Sequence, residues 1–341
     1  MKPLSIYIHI PFCKHKCAYC DFVSFDNRTD KTSGYVDALC AEIKDAGIKT
    51  AETIFIGGGT PSLLTNTQMS KIFTYLPKAS EITVEANPNS VTAAKLRHWF
   101  SLGINRISIG VQSFNDEVLK TLGRTHTAEQ ALKSIKLACE CGFRNINIDL
   151  IHSVTTKPVQ IPSEVFKYIT HVSAYCLIIE QGKPFKPIPE SASLDQQKQI
   201  ELILAINGFE KYEVSNFARK GFQCRHNLAY WQPQTHEYIG FGLAAHSFIN
   251  GKRISNTENL DAYLSLRAER NNLPRTPGDL SAETIMLGLR TTRGVEVEYF
   301  KNKSAEIKFL KELKLVTECD GRIAATSKGF YVLNLIIEKL T

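Results

Sequence analysis

The chain has 341 residues, of which 43% are hydrophobic and 22% are charged. This ordinary balance excludes a disordered chain, a collagen and a coiled-coil rod, and the length suggests about two domains. The formal net charge of +7 is mild and is spread along the chain, so we expect no nucleic-acid partner.

Short β-rich runs alternate with helical patterns over the first 210 residues. The runs lie at residues 5–10, 53–56, 81–85, 106–110, 145–149 and 171–177. Helices are predicted at 35–46 and after the capping residues Thr92, Thr127 and Asp195. Because six units are too few to close an eight-unit barrel, we predict an α/β fold, an open (βα)6 partial barrel.

After residue 210 the pattern changes. A further strand is predicted at 211–214, loops with short elements at 215–247, and helices at 259–269, 281–289 and 303–314. A hairpin of 315–317 and 322–324 turns at Asp320-Gly321, and a last helix follows Thr326. These elements predict a small α+β winged-helix-like domain. The expected domains are 1–210, 211–258 and 259–341, with a linker near 271–279.

Polar residues cluster where the predicted parallel strands end. Residues 57–60 follow the second strand, Glu85 ends the third, Gln112 follows the fourth and Asp149 ends the fifth. Open parallel sheets bind ligands at the carboxyl ends of their strands. We therefore expect one ligand site at this edge.

Three of the nine cysteines, Cys13, Cys17 and Cys20, form the sequence C-x3-C-x2-C directly after the first strand. We expect no secretory or membrane-spanning segment, and therefore a cytoplasmic protein with reduced thiols. Three thiolates on a four-iron cluster leave one iron open to a small molecule. The spacing alone favours such a cluster but leaves a zinc site, or no metal, as alternatives.

Seven motifs in order give the chain a resemblance to a known family. They are YIHIPF with the cysteine motif at 7–20, TIFIGGGTPSLL at 53–64, EITVEANP at 81–88, GINRISIGVQSF at 103–114, LGRTH at 122–126, NIDLI at 147–151 and HNLAYW at 226–231. Together they resemble the radical S-adenosylmethionine (SAM) superfamily, in its oxygen-independent coproporphyrinogen-oxidase-like group. This resemblance also implies an open (βα)6 barrel followed by a small carboxyl-terminal domain.

The resemblance implies a [4Fe-4S] cluster on Cys13, Cys17 and Cys20, with SAM bound to the open iron. Glycines at 58–59 would let the backbone approach the ligand. The positions that match SAM-contacting residues of the family are Tyr7, Tyr19, Gly58, Gly59, Thr60, Glu85, Gln112, Arg124, Asp149 and His246.

Within the group, two branches share these motifs. The coproporphyrinogen dehydrogenases carry a fourth cysteine where this chain has Phe22, and an amino-terminal extension that we do not expect here. The chain thus resembles the heme-chaperone (HemW-like) branch, which implies binding of heme, delivery to apo-proteins that the sequence does not name, and a cluster-dependent homodimer. The alternative is an active radical SAM oxidoreductase of the coproporphyrinogen III dehydrogenase type.

The heme residues implied by the HNxxYW motif of that branch are His226, Asn227, Tyr230 and Trp231. A histidine can ligate heme iron, and flat aromatic side chains suit a porphyrin. His9 shares a strand face with Tyr7 and is expected to point into the same cavity. Without the family, the motif is more typical of a packed aromatic corner with a hydrogen-bonded histidine.

One segment departs from the family. After Asp149-Leu150-Ile151-His152 the family continues with Gly-Leu-Pro, whereas this chain has Ser153 followed by a shorter connection. We expect this change to alter the mouth of the ligand cavity.

Overall fold

The computed structural model describes residues 2–265, 270–273 and 279–341. Most of the linker predicted at 271–279 therefore lies outside the described residues. Among the described residues, no helix combines the length and the apolar character needed to cross a membrane.

Six parallel strands form the centre of the fold, as predicted. They are β1 (Leu4–Ile10), β2 (Thr53–Gly58), β3 (Glu81–Ala86), β4 (Arg106–Gln112), β5 (Asn145–His152) and β6 (His171–Cys176). Each pairs in parallel with the next along the chain. The predicted starts agree within one residue, and most strands run slightly further toward their carboxyl ends.

Helices cover the outer face of these strands. They are α1 (Thr32–Ala46), α2 (Asn66–Phe73), α3 (Ala93–Ser101), α4 (Asp116–Thr121), α5 (Ala128–Glu140) and α6 (Glu190–Ile206), with 3-10 turns at Thr29–Lys31, Pro61–Leu63 and Ser163–Lys167. Thr92 and Thr127 cap α3 and α5 through their side chains, as predicted. The predicted cap at Asp195 is wrong, because α6 already begins after Pro189, whose ring presets a φ suited to helix entry.

Period-two alternation along the strands separates the core from the site. Along β1, Ile6, Ile8 and Ile10 are fully buried in the helix-covered core. Tyr7 and His9 point the other way and line a cavity inside the curved sheet.

The sheet continues beyond both edges of the six strands. On the β6 side lie β8 (Asn216–Ala218) and β7 (Glu210–Lys211), both antiparallel. On the β1 side, β9 (Glu237–Phe241) pairs in parallel with β1. The antiparallel strands β10 (His246–Ile249), β11 (Lys252–Asn256) and β12 (Arg270–Leu273) follow. The mixed sheet is therefore open, in the order β12-β11-β10-β9-β1-β2-β3-β4-β5-β6-β8-β7.

The short elements expected among the loops at 215–247 include β8, β9 and the start of β10. The short helix α7 (Arg225–Tyr230) lies between β8 and β9 and packs against β2 and β9. Glu81, at the start of β3, accepts the backbone N–H groups of Arg225 and His226, each at 3.0 Å. This carboxylate caps the helix and fixes the position of His226.

A second, smaller core follows. α8 (Leu260–Leu264) still packs on α1, and α9 (Asp279–Gly288) begins the second unit. It continues with β13 (Val295–Glu296), a 3-10 turn at Val297–Phe300, α10 (Ser304–Glu312), β14 (Val316–Cys319), β15 (Arg322–Ala325), α11 (Ser327–Phe330) and α12 (Leu333–Leu340). The helices surround a three-stranded sheet in the order β13-β15-β14.

The predicted wing is present in this unit. Asp320 and Gly321 both have positive φ, as a two-residue hairpin of the primed type requires, and they join β14 to β15. The single helix expected after Thr326 is divided into α11 and α12, with Thr326 as the cap of α11.

Candidate cofactor site

The cysteine motif occupies a closed loop at the carboxyl end of β1. The loop is pinned by two backbone hydrogen bonds, from the Cys13 N–H to the Phe25 carbonyl at 2.9 Å and from the Phe25 N–H to the Pro11 carbonyl at 2.7 Å. Cys13 is buried, and Cys17 and Cys20 are half-buried. The three thiols are therefore presented from one short, fixed segment.

All three thiols line a cavity of about 590 Å³ at the carboxyl ends of the strands, which we call the outer cavity. Of the strand-end residues predicted to form one site, Gly58, Gly59, Thr60, Glu85, Gln112 and Asp149 line it together. Tyr19 and Arg124, which the family resemblance implied, also line it. Phe22, at the position of the absent fourth cysteine, also lines the cavity and is 59% exposed.

Two side chains donate toward the sulfur atoms. The Thr60 hydroxyl lies 3.5 Å from Cys13 Sγ, and Arg124 Nη1 lies 3.5 Å from Cys17 Sγ. Arg124 is held in place by Asn87 Oδ1 at 2.6 Å and by the Gly110 carbonyl at 3.0 Å. The guanidinium therefore places a fixed positive charge beside the sulfur of Cys17.

The arrangement of the three thiols bears on which metal group they could hold. Within the described part of the chain, no three His, Cys, Asp or Glu side chains converge on one metal position. A structural zinc site requires four ligands around one ion. In an iron–sulfur cluster each thiolate binds a different iron, so its ligands stand further apart. The donor set thus suits a cluster better than zinc.

Two half-buried carboxylates line the outer cavity. Glu85 accepts the Gly58 N–H at 3.1 Å, and Asp149 accepts Asn147 Nδ2 at 2.8 Å and the Ser108 hydroxyl at 3.2 Å. Burial, reinforced by the negative charge of Asp149, raises the pKa of Glu85 to about 8. Burial likewise raises the pKa of Asp149. A cationic group of a ligand would restore the charged carboxylates here.

The glycines are required by the packing of the protein itself. Gly58 has φ +109°, and a Cβ there would lie 2.6 Å from the His9 ring. A Cβ on Gly59 would lie 2.8 Å from the Phe12 carbonyl oxygen. These glycines are therefore needed for the close contact between β2 and the end of β1, in addition to the approach of a ligand expected from the sequence.

A second cavity of about 480 Å³, the inner cavity, adjoins the first and shares Gly58, Glu85 and Asp149 with it. Of the predicted residues, Tyr7, His226, Asn227, Tyr230 and His246 line this cavity, as does His9. Trp231, which follows α7 and is half-buried, lines neither of the two cavities. The structure therefore places the predicted site residues around two connected spaces.

An aromatic row forms one wall of the inner cavity. Phe55 stacks on His226 at a centroid distance of 5.1 Å and on Tyr7 at 6.3 Å. Tyr230 meets His226 edge-on at 5.1 Å and Tyr238 at 4.7 Å. Such a wall offers extended flat apolar surface to a ligand.

Both ring nitrogens of His226 hold hydrogen bonds. Nδ1 lies 2.8 Å from the Thr53 hydroxyl, and Nε2 lies 2.9 Å from the Tyr230 hydroxyl. Because Thr53 donates its own proton to Ser5, Nδ1 carries the hydrogen and Nε2 accepts from Tyr230. Burial, with Arg106 nearby, lowers the pKa of His226 to about 3, so the ring is neutral.

The segment that departs from the family is strained at Ser153, which has φ +64°. Its N–H donates to Gln196 Oε1 at 2.7 Å, and its hydroxyl lies 2.6 Å from that of Ser193. Gln112, which lines the outer cavity, also has φ +64°. A left-handed backbone at residues other than glycine is uncommon and clusters near functional sites.

Comparison with known proteins relates this geometry to a family. Residues 7–161 match the Radical SAM superfamily. The heme chaperone HemW of Lactococcus lactis is 35% identical, over 99% of this chain and 97% of that protein. HemW of Bacillus subtilis is 32% identical, over 95% of this chain and 96% of that protein. The chain belongs to the HemW family of radical SAM proteins.

A solved structure supports the fold of this family member. Coproporphyrinogen III oxidase (HemN) from Escherichia coli, a radical SAM enzyme, superimposes with a TM-score of 0.81. The match covers 99% of this chain and 90% of that chain at 22% sequence identity. The open mixed sheet and the carboxyl-terminal unit are therefore those of the HemN-like radical SAM fold.

Membership of the superfamily implies a [4Fe-4S] cluster and SAM. The residues present fit both groups. Three thiols on one pinned loop, with Arg124 beside one of them, suit a cluster with three protein ligands. The remaining volume of the outer cavity, with Glu85 and Asp149 at its base, lies next to the thiols.

Sequence reasoning missed several polar residues of the site. Asn87 bridges Thr60 and Arg124, with its Nδ2 3.1 Å from the Thr60 hydroxyl. Ser108 and Asn147 hold Asp149, and Arg106 lines the inner cavity. The alternation of side chains along a strand could have revealed them. It places Arg106 and Ser108 on one face of β4, and it places Asn147 on the same face of β5 as the predicted site residue Asp149.

Proposed function

We propose that this protein is a heme chaperone, which binds heme together with a [4Fe-4S] cluster and SAM and delivers the heme to apo-proteins. The carrying observation is the relation to HemW proteins, which spans almost the whole chain rather than the barrel alone. The aromatic inner cavity beside the outer cavity supports the proposal.

In this proposal Cys13, Cys17 and Cys20 hold the cluster, and the Arg124 guanidinium lies beside the sulfur of Cys17. When bound, the cluster supplies an electron and an open coordination position to SAM. SAM occupies the rest of the outer cavity, where the carboxylates face its cationic groups. The residues proposed to line its site are Tyr19, Gly58, Gly59, Thr60, Glu85, Gln112, Arg124 and Asp149, with Tyr7 and His246 from the inner side.

The inner cavity is the proposed heme site. His226 lines the cavity, and its Nε2 can ligate iron once the Tyr230 hydroxyl moves away from it. Tyr7 and Tyr230 supply the flat surface, and Asn227 lies on the same wall. Trp231 then acts by packing behind α7 rather than by touching the porphyrin.

The proposal also concerns the partners of the protein and its location in the cell. The recipients are heme-receiving apo-proteins, which the chemistry of the site does not identify further. A cluster-dependent homodimer and a cytoplasmic location remain predictions from the resemblance and from the sequence.

The test is heme capture after anaerobic reconstitution of the cluster. We expect the protein to bind hemin stoichiometrically, with an absorption band of a histidine-ligated heme. The His226→Ala variant should shift that band and weaken binding at least tenfold, because it removes the proposed iron ligand. His98→Ala is the matched control, since His98 bonds Ser70 on the outer helices.

Two results would count against this proposal. Failure of the wild-type protein to bind hemin would remove it. Conversion of coproporphyrinogen III propionates to vinyl groups, in the presence of SAM and dithionite, would instead establish the alternative decarboxylating enzyme. Transfer of bound heme to an apo-protein, followed by the recipient's spectrum, completes the chaperone test.

A further inference from the structure

A buried arginine lines the inner cavity and has no hydrogen-bond partner among the described residues. Arg106, the first residue of β4, is 1% exposed. Its Nε is fully buried and without a partner, and no carboxylate of the described residues lies within salt-bridge distance of its guanidinium. The side chain lies on the wall that also carries His226 and Tyr230.

An unpaired guanidinium in such a place is costly. Arginine keeps its charge at any pH at which the protein is folded, and it carries five N–H donors and no acceptor. A buried charge normally has a paired counter-ion and satisfied hydrogen bonds. The arrangement therefore calls for an acceptor that the protein itself does not supply.

The nearest acidic side chains are engaged elsewhere. Glu81 accepts the N–H groups of Arg225 and His226 at the start of α7. Asp149 accepts from Asn147 and Ser108. Both carboxylates act on Arg106 through space, which offsets part of its charge but leaves its donors free.

The residues around Arg106 indicate which kind of ligand could supply the acceptor. The aromatic rings of Tyr7, Phe55 and Tyr230 line the cavity beside Arg106, so it suits a planar apolar ligand. A guanidinium binds carboxylates in a planar, two-bond geometry. A ligand that meets both requirements is a macrocycle that carries a carboxylate side chain.

We propose that Arg106 is a binding residue of the inner cavity and holds a carboxylate of the planar ligand there. This inference rests on the proposed function, under which that ligand is heme and the carboxylate is one of its two propionates. Arg106 then sets the orientation in which the porphyrin enters, with one propionate directed to the floor of the cavity and the iron toward His226.

The test compares hemin with hemin dimethyl ester, in which both propionates are neutral. With cluster-loaded wild-type protein, we expect hemin to bind at least tenfold more tightly than the ester. Arg106→Gln should weaken hemin binding about tenfold or more and leave the affinity for the ester unchanged. Arg106→Lys keeps the charge but loses the two-bond geometry, so its hemin affinity should lie between those two.

Control measurements separate this role from a structural one. Arg97→Gln, which changes an exposed arginine of α3, should leave both affinities unchanged. SAM binding should persist in Arg106→Gln, because the outer cavity is intact. If that variant fails to fold, the comparison of hemin with its ester on the wild-type protein still decides the question.

The outcomes are distinguishable. Equal affinity of the wild-type protein for hemin and its ester would overturn the inference while leaving heme binding in place, and ordered water would then satisfy Arg106. If Arg106→Gln weakened the binding of hemin and of its ester equally, Arg106 would have a packing role, and this result would also overturn the inference. Absence of any heme binding by the wild-type protein would remove the proposed function together with this inference.

Discussion

At the scale of the residue, Glu85 shows how a binding site is maintained at a cost to stability. The carboxyl group sits on the wall between the two cavities, and its pKa is raised to about 8 from an ordinary 4.5 by burial and by Asp149. Between these two pH values the folded chain holds a proton that the unfolded chain has released. The free energy of unfolding therefore falls as the pH rises through this range.

The Glu85→Gln variant should remove this penalty. In the cluster-free protein we expect its free energy of unfolding to exceed that of the wild type by roughly 4 kcal/mol at pH 8, with little difference near pH 4.5. Urea unfolding at both pH values measures the difference. Binding of SAM should weaken in the same variant, since the ionisable group is lost.

Glu129→Gln, on the exposed face of α5, serves as the control. Burial also raises the pKa of Glu213, to about 7, but its titration is common to all three proteins and cancels. A stability difference between Glu85→Gln and wild type that does not change with pH would contradict the raised pKa.

The residue scale also shows what the sequence could reveal of the site. Cys13, Glu85 and Gln112 were predicted to meet because parallel strands end at one edge, and they do line one cavity. The hydrogen bond between His226 and Tyr230 was one of two readings of the HNxxYW motif. Only the placement of α7 beside β2 shows that both nitrogens of His226 are occupied in the absence of a ligand.

At the scale of the element, the loop after β5 carries strain that the family avoids with glycine. Ser153 has φ +64°, a conformation that costs an L-residue about 1 kcal/mol. Its three local hydrogen bonds, to His152, Ser193 and Gln196, hold it there. The loop thus keeps the shape that a glycine would give, although the sequence has changed.

A comparison of two variants isolates this strain. Ser153→Ala and Ser153→Gly both remove the hydroxyl, but only glycine relieves the left-handed backbone. We expect the glycine variant to be the more stable of the two by about 1 kcal/mol, measured by urea unfolding. An alanine variant as stable as the glycine variant would show that residue 153 does not hold a positive φ in solution.

Elements differed in how well the sequence predicted them. The six central strands were predicted because they are continuously apolar and separated by helices with clear caps such as Thr92 and Thr127. The strand β9 was missed because its five residues include Gly240 and follow a stretch of polar residues. Its β structure depends on pairing with β1, more than 230 positions earlier, which no local pattern reveals.

At the scale of the whole molecule, two hydrophobic cores divide the chain. The first joins the sheet to its helices and includes Leu260 and Tyr263. The second runs from Ile285 to Leu340 around the three-stranded sheet. The predicted boundary at 258–259 is close to this division, and we propose that the domains follow the cores, with α8 in the first.

The two cores nevertheless meet through specific bonds. The Thr292 N–H donates to the Tyr212 carbonyl at 3.0 Å, and the Tyr331 hydroxyl donates to Glu201 on α6 at 2.5 Å. Tyr212 in turn bonds His171 in the barrel interior at 2.7 Å. The carboxyl-terminal unit thus lies against the strand-start side of the barrel, away from the cysteine loop.

Separate cores predict two transitions on heating, as interfaces of this polar kind couple domains only weakly. Leu310→Ala, in the second core, should lower the transition temperature of the smaller unit, with a loss of about 2–4 kcal/mol. Leu39→Ala, equally buried in the first core, should lower the other transition by a similar amount. Differential scanning calorimetry of the cluster-free protein separates the two transitions. A single transition lowered by both variants would instead mean that the chain unfolds as one cooperative unit, so that loss of the small core would also unfold the inner cavity.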